Sequence, residues 1–297
     1  MKQEATKGKL YIVATPIGNL GDMTQRAAEV LAAVNFIAAE DTRVTRILLD
    51  RFDIRTPMVA CHKFNETGSA ERIIQRIMEG QSCALVTDAG TPGISDPGAV
   101  LAEIAAAAGI EITAVPGACA VTAALSVCGF KGLSYTFLGF LPKGTAARKA
   151  LAEALKTSPE ILVFYESPHR IIQTAELLND IGGINRLCIC NDLTKKFEHI
   201  YRGTPDEVLM RLKSNPNASK GEYTVVAEKA LPGITVNETD GTDLISTEAR
   251  LVDICVKSSV TPKDAAALLY ERNGGTLAKK EIYNAALNLK NLFAKPR

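Results

Sequence analysis

From Leu10 to Ala120 the chain repeats one pattern five times. A short apolar run gives way to a cluster of Gly, Pro or charged residues, and that cluster feeds a helical pattern. The apolar runs are Leu10–Ala14, Phe36–Ala39, Met58–Cys61, Cys83–Val86 and Ile110–Val115. Their length suits buried strands and is too short for helices. Strands that alternate with helices predict a parallel sheet with helices on both faces, because a parallel crossover needs a helix to span it. In such sheets a ligand lies at the carboxyl ends of the strands. The loops that follow the strands are therefore the place to look for chemistry.

Three of those loops are built from small residues: Thr15–Asp22 (T-P-I-G-N-L-G-D), Asp88–Gly98 (D-A-G-T-P-G-I-S-D-P-G) and Pro116–Ala120 (P-G-A-C-A). Glycine adds chain entropy to the unfolded state and proline deletes a donor, so a plain connector would not use so many. Side by side on one sheet edge they would line a pocket with backbone N–H and C=O groups. G-x-x-x-x-G-K-[ST] is missing, and so is G-x-G-x-x-G after the first strand, which disfavours phosphate-loop and dinucleotide sites. Asp22 reads as a helix N-cap with Gln25 completing a capping box. Asp88 ends its strand and Asp96 reads as the cap of the helix that follows. Glu40, Asp41 and Arg43 make a polar cluster at another strand end.

A second round of strands and helices starts at Leu133–Leu141, which carries Tyr135, Phe137 and Phe140. It continues through Ile161–Tyr165, Leu187–Cys190, Phe197–Tyr201 and Tyr223–Ala227. This places an N-terminal α/β domain at 1–132 and a second α/β domain at 133–230. Residues 231–256 hold five acids and one base and read as an acidic linker running into a helix. Residues 257–297 carry eight Lys or Arg against three Asp or Glu, a net of +5, and read as a basic helical tail of two helices, Lys263–Asn273 and Ala278–Leu292. The whole chain carries only +1, so any polyanion contact must be local; Lys195, Lys196 and Arg170 could extend the tail's basic track. The seven cysteines include no C-x-x-C pair and point to a reducing cytoplasm. The three histidines lie apart, so no metal site is expected. No apolar stretch is long enough for a membrane span.

The motifs T-P-I-G-N-L-G-D, A-E-D-T-R, T-D-A-G-T-P-G-I-S-D-P-G, V-P-G-A-C-A, Y-E-S-P-H-R and K-G-E-Y-T resemble those of the tetrapyrrole methylase superfamily, in order from Lys9 to about Lys229. The likeness is to its branch that acts on ribosomal RNA. It implies a two-domain α/β fold with S-adenosylmethionine in a cleft between the domains, plus the small helical appendage, and usually a homodimer. It also implies methyl transfer to the ribose 2′-oxygen of a cytidine in the decoding region of 16S rRNA, as free RNA or in the small ribosomal subunit. By matching to the family's motifs, Pro16, Ile17, Ala89, Gly90, Thr91, Ile94, Cys119, Ala120, Tyr165, Leu193 and Glu222 fall at cofactor-facing positions. Two loops depart from the usual pattern. Pro16 replaces a glycine and Met23 a proline, and Ala89-Gly90-Thr91-Pro92 lacks an aspartate, which leaves more of the holding to backbone groups.

Transfer to a hydroxyl needs alignment and removal of a proton. Asp22, Asp41 and Glu222 are candidate bases, and Arg43 or Lys195 could stabilise a developing alkoxide. Two alternatives remain open from the sequence. One is a C-methyltransferase of tetrapyrroles or other small molecules, which would not need a basic tail. The other is a non-catalytic RNA-binding protein that keeps the pocket as a relic.

Overall fold

The computed structural model describes residues 7–61, 66–132, 134–157, 160–230, 247–258, 260–272 and 279–293. These residues fall into two compact units, one drawn from 1–231 and the other from 232–297.

The first sheet of the larger unit holds β1 (Lys9–Val13), β2 (Phe36–Ala39), β3 (Met58–Ala60), β4 (Cys83–Val86) and β5 (Glu111–Val115). All its pairings are parallel, in the order β3-β2-β4-β1-β5. The two faces separate residue by residue, as a period of two dictates. Phe36, Ala38, Cys83 and Leu85 point to one core with α3 (Glu66–Met78) and α4 (Ala99–Ala107). Ile37, Ala39, Ala84 and Val86 point to the other core with α1 (Gln25–Ala33) and α2 (Thr42–Arg51). Both faces are covered, which is why β2 and β4 are unbroken apolar runs rather than alternating ones.

The second sheet holds β6 (Tyr135–Phe140), β7 (Ile161–Glu166), β8 (Ile184–Asn191), β9 (His199–Gly203) and β10 (Tyr223–Lys229), in the order β6-β7-β10-β8-β9. Only β6 and β7 run parallel; the other neighbours are antiparallel. One face packs on α6 (Thr145–Thr157), α7 (Ile171–Ile181) and α8 (Pro205–Ser214). Thr204 and Glu207 close α8's N-terminus as a capping box with Pro205 in the first turn. The opposite face packs on α5 (Ala120–Cys128), which follows β5 of the first sheet. Val121, Ala124 and Cys128 meet Val163, Cys188, Cys190 and Val226 in one buried cluster.

The smaller unit is three helices, α9 (Thr247–Ser258), α10 (Pro262–Arg272) and α11 (Lys279–Phe293). Leu251, Ala265, Ala266, Leu269, Ile282, Ala285 and Leu289 form its core. The acidic stretch expected as a linker up to residue 256 is thus helical from Thr247, and Leu251 anchors it. Residues 231–246 lie outside the described residues. No described helix is long and apolar enough to cross a membrane.

Candidate active site

Strand order explains why three loops meet. β4, β1 and β5 are consecutive in the sheet, so the loops after them leave one edge side by side. They are stitched together by backbone. The Thr15 N–H donates to the Gly90 carbonyl at 2.9 Å, and the Gly90 N–H returns the bond at 3.1 Å. The Thr91 hydroxyl donates to the Ala118 carbonyl at 3.2 Å. Gly90 holds φ +84°, where a Cβ would be strained.

These loops face the second sheet across a cavity of about 380 Å³, within the usual range for small-molecule sites. Of the eleven positions matched to cofactor contacts, ten line it: Ile17, Ala89, Gly90, Thr91, Ile94, Cys119, Ala120, Tyr165, Leu193 and Glu222. Pro16 does not; it lies beside Thr15, whose backbone is taken up by the bridge to Gly90. The wall also includes residues not singled out as cofactor contacts: Asp96, Phe140, Glu166, Ser167, Pro168, Tyr223 and Thr224. Most of these sit inside the quoted Y-E-S-P-H-R and K-G-E-Y-T motifs. Phe140 could have been found from the aromatic spacing of its strand, since its ring lies 5.5 Å from that of Tyr165, centroid to centroid. Burial pushes the Tyr165 hydroxyl up, so at neutral pH it is a neutral donor. Asp96 does not occupy the N-cap of α4, which is Gly98 at φ 131°.

The far rim is the loop from Asn191 to Glu198. Asp192 (φ 50°) and Thr194 (φ 68°) both adopt left-handed backbone. For a β-branched residue this is a strained conformation, costing on the order of 1–3 kcal/mol. The Thr194 hydroxyl is buried and has no hydrogen-bond partner among the described residues. The loop positions Lys195, whose Nζ is 2.9 Å from both Asp192 Oδ1 and Glu222 Oε2. Burial would lower this lysine's pKa, but the bonds to Asp192 and Glu222 outweigh it and raise the value. A Cβ on Gly18 would collide with the Lys195 side chain and come within 3.2 Å of the Leu193 carbonyl. That glycine lets the first loop approach the rim.

Three proposed catalytic groups are placed elsewhere. Asp22 closes an exposed 3-10 turn, Leu20–Asp22, and the N-cap of α1 is Thr24, whose hydroxyl accepts from the Ala27 N–H at 3.1 Å. Asp41 caps α2 and is gripped by Arg43 at 2.6 Å; those bonds hold its carboxyl well below the usual carboxylate range. Neither lines the cavity: Asp22 is carried off by the 3-10 turn at the far end of its loop, and Asp41 follows β2, which β4 separates from β1. Arg170 faces inward rather than joining a basic track. It pairs with the buried Glu166 at 2.7 Å and donates to the carbonyls of Leu141 and Pro142. Glu166 also accepts from the Thr174 hydroxyl at 2.7 Å.

The profile of the Tetrapyrrole (Corrin/Porphyrin) Methylases matches residues 9–209. The chain belongs to the tetrapyrrole methylase family. Among curated proteins it is 42% identical over 280 residues to the ribosomal RNA small subunit methyltransferase I of Xylella fastidiosa (strain Temecula1), covering 94% of this chain and 99% of that one. It is 40% identical over 284 residues to the protein of the same name from Escherichia coli O157:H7, covering 95% and 96%. Among solved structures, diphthine synthase matches with a TM-score of 0.58 at 13% identity, over 75% of this chain and 91% of that one, a likeness of fold. Tetrapyrrole methylases use S-adenosylmethionine as methyl donor, and the cavity of this one suits such a group. Ile17, Ile94 and Leu193 offer apolar walls, Phe140 and Tyr165 offer ring faces to a cation, and Asp96 and Glu222 offer carboxylates. No group of three or more metal-ligating side chains occurs among the described residues.

Proposed function

We propose that this tetrapyrrole methylase transfers a methyl group from S-adenosylmethionine to the ribose 2′-oxygen of a cytidine in 16S rRNA, in the cytoplasm and as a homodimer. One observation carries the reading. Identity near 40% to ribosomal RNA small subunit methyltransferases I extends over almost the whole length of the chain.

When bound, S-adenosylmethionine supplies an electrophilic methyl on a sulfonium. The protein's part is to hold, align and handle one proton. The small-residue loops and the apolar walls that line the cavity would hold the donor there and keep water out. Correct alignment alone can contribute about 7–11 kcal/mol. Glu222, whose carboxylate is exposed at the rim, can accept the hydroxyl proton. Lys195 stands beside it as a fixed cation for the oxygen that develops negative charge. Asp192 keeps the ammonium in place.

The deciding experiment is mass spectrometry of 16S rRNA from cells with and without the protein. The reading requires one ribose methyl on a cytidine to vanish with the protein and return when it is restored. An identical methylation map in both strains would refute it.

A further inference from the structure

The Asn191–Glu198 loop has a second side. There it lines an open groove of about 880 Å³ whose other wall is α8 and the loop before β10. The groove and the cavity are next-door neighbours along the chain. Leu193 and Glu222 line the cavity, while Asp192 and Lys220, one and two residues away, line the groove.

The groove's chemistry is uneven. Phe197 is 77% exposed, a large apolar ring set in water. The Lys196 ammonium lies 5.6 Å from that ring's centroid. His199 packs on Tyr201 with centroids 4.9 Å apart, and Tyr201 is buried, its hydroxyl accepting from Asn215 Nδ2 at 2.6 Å. The imidazole is thus backed by a fixed ring. Lys196, Arg211 and Lys220 also line the groove, and none of them forms an ion pair with a described residue; the Arg211 guanidinium is oriented by the carbonyls of Glu207 and Arg202 and keeps its charge unneutralised. The acids nearby are engaged: Asp192 holds Lys195, and Glu198 accepts the Thr194 N–H at 2.6 Å.

Uncompensated cations interleaved with open ring faces are what single-stranded RNA binds, through phosphates and unstacked bases. A duplex would hide its base faces. We propose that this groove seats nucleotides flanking the target ribose, with Phe197 stacking on a base and Lys196, Arg211 and Lys220 facing the phosphates. The proposal rests on the rRNA reading and specifies where that substrate lies.

The test uses the full-length protein carrying F197A, F197L, F197Y or K196A/K220A. Substrates are small ribosomal subunits from cells lacking the protein, and a labelled single-stranded oligoribonucleotide with its duplex form as control. Phe197→Ala and Phe197→Leu should raise KM at least about fivefold, since a base–ring stack is lost, and Phe197→Tyr should restore it. kcat and the Kd for S-adenosylmethionine should stay within twofold of wild type. K196A/K220A should flatten the slope of log binding constant against log salt by about 1.4, from about 0.7 per phosphate contact. Wild-type KM and salt slope in all four variants would overturn the proposal. So would an equal loss on single strand and duplex. If wild type methylates no rRNA, the parent reading fails. The groove is then judged on the oligonucleotide alone, where unchanged binding in F197A and K196A/K220A overturns it and weakened binding upholds it.

Discussion

Lys195 does not itself line the cavity, but it is paired with a residue that does. Its charge is fixed by two carboxylates, and one of them, Glu222, also faces the cavity. Lys195→Ala is expected to cut turnover about a hundredfold or more, by analogy with removal of one donor to a developing oxyanion, while S-adenosylmethionine still binds in calorimetry. Asp41→Ala, whose side chain does not line the cavity, should keep near wild-type turnover and lose some helix stability. The raised pKa of Lys195 also sets a sign for pH. A lysine held protonated in the folded state contributes stability that is fully present below the unfolded value, 10.5. That contribution fades as pH climbs through the higher folded value. The stability gap between wild type and Lys195→Met, from denaturant melts, should therefore be constant at neutral pH and shrink only above pH 10.5. Arg170 is the structural counterpart. Removing it leaves the buried Glu166 carboxylate without its cation, so Arg170→Ala should cost about 3–5 kcal/mol in the same melts.

Among the elements, the three stitched loops were legible in the sequence because glycine and proline mark them and each follows a strand. Their meeting needs β4, β1 and β5 to be adjacent, which no local signal states. The same gap explains Asp41 and Arg43. A strand end identifies an edge of the sheet but not the distance along it, and β2 is one strand too far. Asp22 was misread for a local reason. The chain makes a 3-10 turn before α1, which moves the cap two residues on to Thr24. In α9, the helix into which the acidic stretch was expected to run, Leu251, Ile254 and Cys255 form the stripe that packs inward. Gly98 marks where the second loop must bend: φ 131° with Leu85 Cδ2 only 2.8 Å from a would-be Cβ. Gly98→Ala should lose about 1–3 kcal/mol and weaken cofactor binding by tilting α4 and its loop. Wild-type stability and affinity in that variant would show that the bend is dispensable.

For the molecule as a whole, the break at Leu231/Pro232 decides where it can be cut. A protein ending at Leu231 should stay folded and bind S-adenosylmethionine, and its affinity for small ribosomal subunits should fall if the basic helices contribute. Ending instead at Val256 keeps most of α9 but strips away α10 and α11, leaving Leu251 without its packing partners; that product should aggregate or be degraded, which gel filtration would reveal. No comparable cut exists between the two sheets. Helix α5 leaves the first sheet and supplies the apolar cover of the second. Neither half can therefore melt alone without baring apolar surface of this shared cluster, Val163, Cys188 and Val226 included, to water. Heat should thus unfold residues 7–230 in a single calorimetric transition. A gene split between α5 and β6 should yield halves that are insoluble apart and regain activity only when co-expressed.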